Sequence, residues 1–66
     1  MVKNNLLEIR LKLGYKFQNE FADFLEIGEK DYNRIENNKK QVTLDTALRI
    51  AKKLNMHVEE IFTLTD

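Results

Sequence analysis

Few side chains in this sequence could perform catalytic or metal-binding chemistry. The chain contains no serine, no cysteine and a single histidine, His57. A serine nucleophile, a thiolate metal site and a metal site built on paired histidines are therefore excluded. We predict a protein that is not an enzyme and that needs neither a cofactor nor a metal. The lack of cysteine fits a protein of the reducing cytoplasm.

Length and charge place further bounds on the protein. The chain has 66 residues, so residues 1–66 are predicted to form a single small domain. No apolar run approaches the roughly 20 residues of a membrane span, and we expect no membrane association. Eleven basic and eleven acidic residues cancel, but they are segregated along the chain. Residues 1–18 and 37–54 are basic, whereas residues 19–29 and 55–66 are acidic, so a basic surface is compatible with the neutral total.

The spacing of hydrophobic residues predicts an all-α fold of five helices with no strand. The first helix covers residues 5–13 and is expected to stop at Gly14, which tolerates left-handed backbone. The second helix begins at Gln18. The third runs from about Glu29 to Asn37, and the asparagines that follow favour a turn.

The fourth helix has the most regular pattern. Thr43 is its predicted N-cap, because a threonine hydroxyl can accept from a backbone N–H of the first turn. Asn55 is its predicted stop. Its predicted buried stripe consists of Leu44, Ala47, Leu48, Ala51 and Leu54. Val58, Ile61 and Phe62 indicate a last short helix.

Helices two and three have the spacing of a helix-turn-helix motif. The small side chain of Ala22 would let the two helices approach closely, and Ile27 would fill the turn between them. Four apolar residues would hold the pair at a steep angle: Phe21, Leu25, Tyr32 and Ile35. On spacing alone, an amphipathic helix pair in any small bundle explains the pattern equally well.

Five segments at matching spacing resemble the lambda-repressor/Cro-like helix-turn-helix family, often called XRE. They are Ile9-Arg10, Gln18-x-Glu20-Phe21-Ala22, Leu25-x-Ile27, Arg34-Ile35-Glu36-Asn37-Asn38-Lys39 and Thr43-Leu44-x-x-Ala47-Leu48-x-Ile50-Ala51. The likeness covers about residues 4–62. It implies a five-helix lambda-repressor-like domain that binds the major groove of double-stranded DNA, commonly as a dimeric repressor.

The resemblance also implies which residues contact DNA. Arg34 and Lys30 of helix three would meet the guanine acceptors O6 and N7. Asn33 would pair with adenine, and Glu29 would accept from the amino group of cytosine. Phosphate contacts are implied for Gln18, Asn19, Asn37, Asn38, Lys39 and Lys40. A solvated helix face, an ion pair of Arg34 with Glu36 or Asp31, and a plain polar turn are the alternative interpretations.

Two further expectations concern the support of the fold and its assembly. The resemblance implies a partly buried salt bridge between Arg10 of helix one and Glu36 at the end of helix three. Phe62 and Leu64 are apolar residues near the end of the chain. Each could belong to the core, or together they could form the interface of a homodimer. We predict the homodimer.

The sequence departs from the family pattern at the motif itself. The connection before Gln18 is about one residue longer than usual, and Phe17 stands where Ser or Thr commonly caps helix two. Glu26 occupies the turn position where glycine is common, which predicts a positive φ at Glu26. Glu29 and Asp31 make the reading helix unusually acidic.

The predicted function is a repressor that occupies a palindromic operator as a homodimer. One alternative is the antitoxin of a toxin–antitoxin pair, which would bind a toxin as well as DNA. Another is a protein-interaction module that kept the fold and lost DNA binding, as the acidic reading helix would suggest.

Overall fold

The computed structural model describes residues 1–65. Within them, five helices are flanked by one short strand at each end of the chain. The elements are β1 (Val2–Asn4), α1 (Leu6–Lys12), α2 (Gln18–Leu25), α3 (Glu29–Glu36), α4 (Leu44–Leu54), α5 (Val58–Ile61) and β2 (Phe62–Leu64). The five helices confirm the predicted helical class. None of these helices has both the length and the apolar character needed to cross a membrane.

The expectation of a fold without strands is wrong. β1 and β2 pair antiparallel, with Val2 opposite Leu64 and Asn4 opposite Phe62. The backbone of Phe62 is extended, with φ −119° and ψ 135°, so α5 ends one residue earlier than predicted. Each strand has only three residues, too few for a visible alternation of polar and apolar positions.

Three of the predicted helix ends depend on local chemistry and are confirmed. The Thr43 hydroxyl accepts a hydrogen bond from the Thr46 N–H at 3.2 Å, at the start of α4. Asn55 ends α4 in left-handed geometry with φ 55°, and Gly14 follows α1 with φ 92°. These devices lie within a few residues of the ends that they define, which is why the sequence alone reveals them.

The core takes apolar side chains from all five helices and from β2. Its members are Leu6, Phe21, Ala22, Leu25, Tyr32, Ile35, Ala47, Ile50, Ala51, Ile61 and Phe62. Phe21 and Tyr32 join the two motif helices edge to face, with ring centroids 5.6 Å apart. The core therefore lies directly behind the helix-turn-helix and fixes the angle between α2 and α3.

The predicted buried stripe of α4 is partly wrong. Leu44 and Leu48 are 73% and 51% exposed, whereas Ile50, which was not predicted, is fully buried. Ala47, Ile50 and Ala51 form the inner face instead. α4 carries apolar residues around much of its circumference. Two adjacent rows of apolar side chains therefore fit the helical period, and packing against the neighbouring helices decides which row is buried.

Candidate nucleic-acid interface

A tight turn positions α3 against α2. Glu26 has φ 60° and ψ 42°, so the predicted left-handed residue is confirmed, and Gly28 has an ordinary φ of −60°. The Ile27 N–H donates to the Ala22 carbonyl at 2.9 Å, which closes the end of α2. Ala22 is fully buried, because a larger side chain would separate the two helices at this point. The turn thus presents the start of α3 at the surface.

α3 carries an exposed cationic pair. Lys30 and Arg34 lie one helical turn apart and both are exposed. In residues 1–65 Arg34 forms no ion pair with Glu36 or Asp31, the two partners that its alternative interpretation required. Asp31 instead bonds to Lys40, with Nζ 3.1 Å from Oδ1. The guanidinium of Arg34 is therefore available to an external acceptor.

The structure brings Asn33 of α3 to the first residue of α2. Its Nδ2 donates to the Gln18 Oε1 at 2.7 Å, and both side chains are half-buried. An amide nitrogen has two hydrogens, so Asn33 retains one donor and its Oδ1 acceptor for an external partner. The contact limits the rotamers of Asn33 and holds the start of α2 beside α3.

Gln18 continues into a buried polar cluster centred on Glu36. Its Nε2 donates to the Glu36 Oε2. The other oxygen, Oε1, accepts from the Arg10 Nε at 2.9 Å and from the Tyr32 hydroxyl at 2.7 Å. Arg10 and Glu36 are 7% and 8% exposed, and no buried side-chain polar atom of the described residues lacks a partner. The structure thus contains the salt bridge that the resemblance implied, and Gln18 extends this network to the start of α2.

Ionisation states in this cluster follow from its contacts. Burial opposes ionisation of the Glu36 carboxyl, but the hydrogen bonds that it accepts, above all the one from Arg10, outweigh burial and hold the pKa of Glu36 below its ordinary value. The same bond raises the pKa of Arg10. Burial raises the pKa of Tyr32, which stays a neutral donor. Glu36 is consequently a fixed negative charge that orders three donors.

The start of α2 has no side-chain cap. Phe17 occupies the N-cap position with extended backbone, makes no capping hydrogen bond and is 58% exposed. The first-turn N–H groups of Gln18 and Asn19 therefore remain uncapped, in the arrangement that binds phosphate in many proteins. The Arg10 Nη1 donates to the Lys16 carbonyl at 2.7 Å, which holds this end of the loop in place.

The loop after α3 divides into supporting and exposed residues. Asn38 has φ 59°, and its Oδ1 accepts from the Asn4 Nδ2 at 3.2 Å. Asn38 is half-buried and ties the loop to β1. The sequence indicated only a phosphate contact for this residue and not this supporting role. Asn37, Lys39 and Lys40 are exposed, and Lys40 forms the ion pair with Asp31.

The two residues proposed for a dimer interface are in different environments. Phe62 is 8% exposed and belongs to the core, because the chain enters β2 directly after α5 and turns this ring inward. Its assignment to an interface is corrected on that ground. Leu64, two residues later, is 79% exposed.

His57 and the carboxylates form no metal site in the part of the chain that the structure describes. His57 is exposed at the N-cap position of α5, where its backbone N–H donates to the Glu60 Oε1 at 2.9 Å. The Glu60 side chain thereby caps the start of α5.

The sequence did not reveal the role of Gln18 as a bridge between Asn33 and Glu36. Those residues lie 15 and 18 positions further along the chain, and no local pattern connects them. A polar residue at the first position of a helix, opposite a polar position on the next helix, is the only signal that the sequence offers.

Comparison with protein families finds a match over residues 6–61, to a family described as helix-turn-helix. The match includes all five helices and the whole surface formed by α2, α3 and the following loop. None of the curated proteins compared with the chain matches it.

Proposed function

The chain belongs to the lambda-repressor/Cro-like (XRE) helix-turn-helix family of DNA-binding regulators, and on this premise we propose that it is a transcriptional repressor that binds a palindromic operator as a homodimer. The observation that carries the proposal is the exposed pair Lys30 and Arg34 on α3, the helix whose Asn33 side chain is held by Gln18 of α2. A helix that exposes such side chains can enter the major groove and contact the edges of the bases.

Different parts of this surface are proposed to contact the bases and the phosphates of DNA. Lys30, Asn33 and Arg34 on α3 are the proposed base contacts, together with Glu29 for a cytosine amino group. The uncapped start of α2, at Gln18 and Asn19, and the exposed loop side chains are the proposed phosphate contacts. The loop side chains are those of Asn37, Lys39 and Lys40.

The acidic residues of α3 would repel DNA phosphates less than the composition of the helix indicates. Asp31 is paired with Lys40, so its charge is partly neutralised at the surface. Glu29 is the remaining exposed carboxylate at the helix start. This distribution supports DNA binding over the interaction module, because among the described residues Glu29 is the one unpaired carboxylate that α3 exposes.

The homodimer is part of the proposal because two copies would extend the contact with DNA. One copy presents one recognition helix, whereas two copies related by a two-fold axis would read two half-sites about one helical turn apart and double the phosphate contacts. Exposed Leu64 is the apolar residue proposed at the contact between copies.

The test is selection of bound duplexes from a randomised pool at low salt, with Arg34→Ala and Arg49→Ala as paired variants. Both arginines are exposed, but Arg49 lies on α4 and pairs with Asp45. We expect a two-fold symmetric motif, loss of preference at one base pair per half-site with Arg34→Ala, and no change with Arg49→Ala. Failure to enrich any motif would reject the repressor and favour the interaction module.

A further inference from the structure

The hydrogen-bond pattern of the β1–β2 sheet shows which backbone groups face outward. Met1 and Thr65 exchange two bonds, with the Met1 amino group 3.2 Å from the Thr65 carbonyl and the Thr65 N–H 2.8 Å from the Met1 carbonyl. In antiparallel sheets such pairs alternate with pairs that exchange no bond. Val2 and Leu64 form the next pair, so their N–H and C=O groups point away from the ladder, toward the two outer edges.

The outer edge of β1 is closed by a side chain. The Val2 N–H donates to the Gln41 Oε1 at 3.2 Å, and the Val2 carbonyl accepts from the Gln41 Nε2 at 3.4 Å. A primary amide presents one acceptor and one donor side by side, as a peptide group of a neighbouring strand would. Gln41 thus occupies the place of a third strand and protects this edge.

The outer edge of β2 is open at Leu64. The Phe62 N–H is already used, since it donates to the Val58 carbonyl at the end of α5. For Leu64, no partner of the outward N–H or C=O exists among residues 1–65. Its side chain is 79% exposed, and neither lysine nor proline interrupts the strand. An open edge with an exposed apolar residue is a template for another strand.

We propose that a second copy of this chain adds its own β2 to this edge, antiparallel, about a two-fold axis at Leu64. The inference rests on the homodimer of the proposed function and names its contact. At the axis each Leu64 N–H donates to the Leu64 carbonyl of the other copy, so the edge is self-complementary, as a two-fold contact requires. The two leucine side chains lie side by side on one face of a four-stranded sheet.

The size of the contact sets the strength of the dimer. Three-residue strands cover much less than the roughly 1,200–2,000 Å² of a stable interface. The free dimer is therefore weak, and adjacent half-sites on one duplex complete it, because DNA holds both copies at a high effective concentration.

The decisive variant is Leu64→Pro. Proline removes the outward N–H and replaces the leucine side chain, and the proposed contact uses both. The bonds of Thr65 to Met1 remain, and edge strands tolerate proline whose missing N–H would face solvent. In sedimentation equilibrium we expect self-association to weaken roughly tenfold or more, with far-ultraviolet circular dichroism unchanged. Leu44→Ala, which truncates a 73% exposed leucine on α4, is the matched control and should associate like the wild type. Unchanged association of a folded Leu64→Pro variant overturns the proposal.

Amide hydrogen exchange of the unmodified protein tests the same contact without a variant. The Leu64 amide should become more protected as protein concentration rises, whereas the Thr65 amide, bonded to Met1, should be protected at every concentration. Exchange at Leu64 that does not depend on concentration contradicts strand pairing. Binding of Leu64→Pro to duplexes with one and with two half-sites separates the outcomes: retained binding to one half-site with lost cooperativity on two supports both proposals. Self-association at Leu64 without any DNA binding rejects only the repressor.

Discussion

At the scale of single residues, the buried pair Arg10 and Glu36 is the most consequential contact. Removing the Arg10 side chain with Arg10→Ala leaves the Glu36 carboxylate buried without its main donor, and we expect a loss of about 3–5 kcal/mol in the free energy of unfolding. Arg49→Ala breaks an ion pair of similar length, 3.1 Å, whose side chains are more than 70% exposed. It should change stability by less than about 0.5 kcal/mol. Urea denaturation measures both, and equal effects would show that burial of the Arg10 pair contributes nothing.

The lowered pKa of Glu36 predicts a specific acid sensitivity. A carboxyl whose pKa is lower in the folded state stabilises the fold above its unfolded pKa of about 4.3, and this contribution is lost as the pH falls through the folded value. Stability measured from neutral pH downward should therefore fall more steeply for the wild type than for Glu36→Gln, which has no proton to gain. Parallel curves for the two proteins would contradict the prediction.

Glu26 carries backbone strain that glycine would relieve. Its φ of 60° costs a non-glycine residue about 1 kcal/mol. Glu26→Gly removes this strain but also the exposed ion pair with Lys53, at 3.0 Å, so we expect a neutral or stabilising change. Glu26→Ala removes the ion pair and keeps the strain. Thermal unfolding should rank Gly above Ala at this position by about 1 kcal/mol, and the reverse order would exclude strain as the dominant effect.

At the scale of elements, α2 and α4 begin with opposite capping chemistry. Thr43 caps α4 with its hydroxyl, whereas Phe17 leaves the start of α2 uncapped. Phe17→Thr should stabilise the domain by about 0.5–2 kcal/mol, because a mostly exposed ring is exchanged for a side chain that can accept from the first turn. Thr43→Ala is the mirror control and should destabilise by a similar amount. Lower stability of Phe17→Thr in chemical denaturation would mean that the Phe17 ring stabilises the fold more than a cap does.

The elements differ in how far their sequences predict them. The ends of α4 and the turn at Glu26 depend on residues close to each other, and these predictions are confirmed. The buried face of α4 depends on which helices surround it, and there the prediction failed for Leu44 and Leu48. Periodicity establishes that a helix is amphipathic, but it does not choose between two adjacent apolar ridges.

At the scale of the whole molecule, a formally neutral protein must bind DNA through the arrangement of its charges. Lys39 is exposed on the loop after α3, and in the described residues it joins no ion pair. Lys39→Ala should weaken binding to all duplexes alike and reduce the salt slope by about one counterion per subunit. Lys52→Ala, an exposed lysine on α4, should leave the slope unchanged. Titrations at several salt concentrations measure both slopes, and equal slopes would remove Lys39 from the phosphate contacts.

The sequence by itself determined the helical class, most helix ends and the place of the helix-turn-helix motif. Each of these is a short-range property: a period of three to four residues, a threonine before a helix, or a small residue at the helix crossing. The Arg10–Glu36 contact joins residues 26 positions apart that no local rule connects, so only the family resemblance predicted it.

Only the tertiary structure decided how the ends of the chain and the polar side chains meet. β1 pairs with a strand about sixty residues away, and Gln41 closes one edge of that sheet while Leu64 leaves the other open. Gln18 and Asn33 likewise meet because α2 and α3 cross, so the surface formed by these two helices depends on a bond that the chain makes only when folded. Such contacts depend on the packing of the whole domain, whereas the patterns that a sequence displays extend over a few residues.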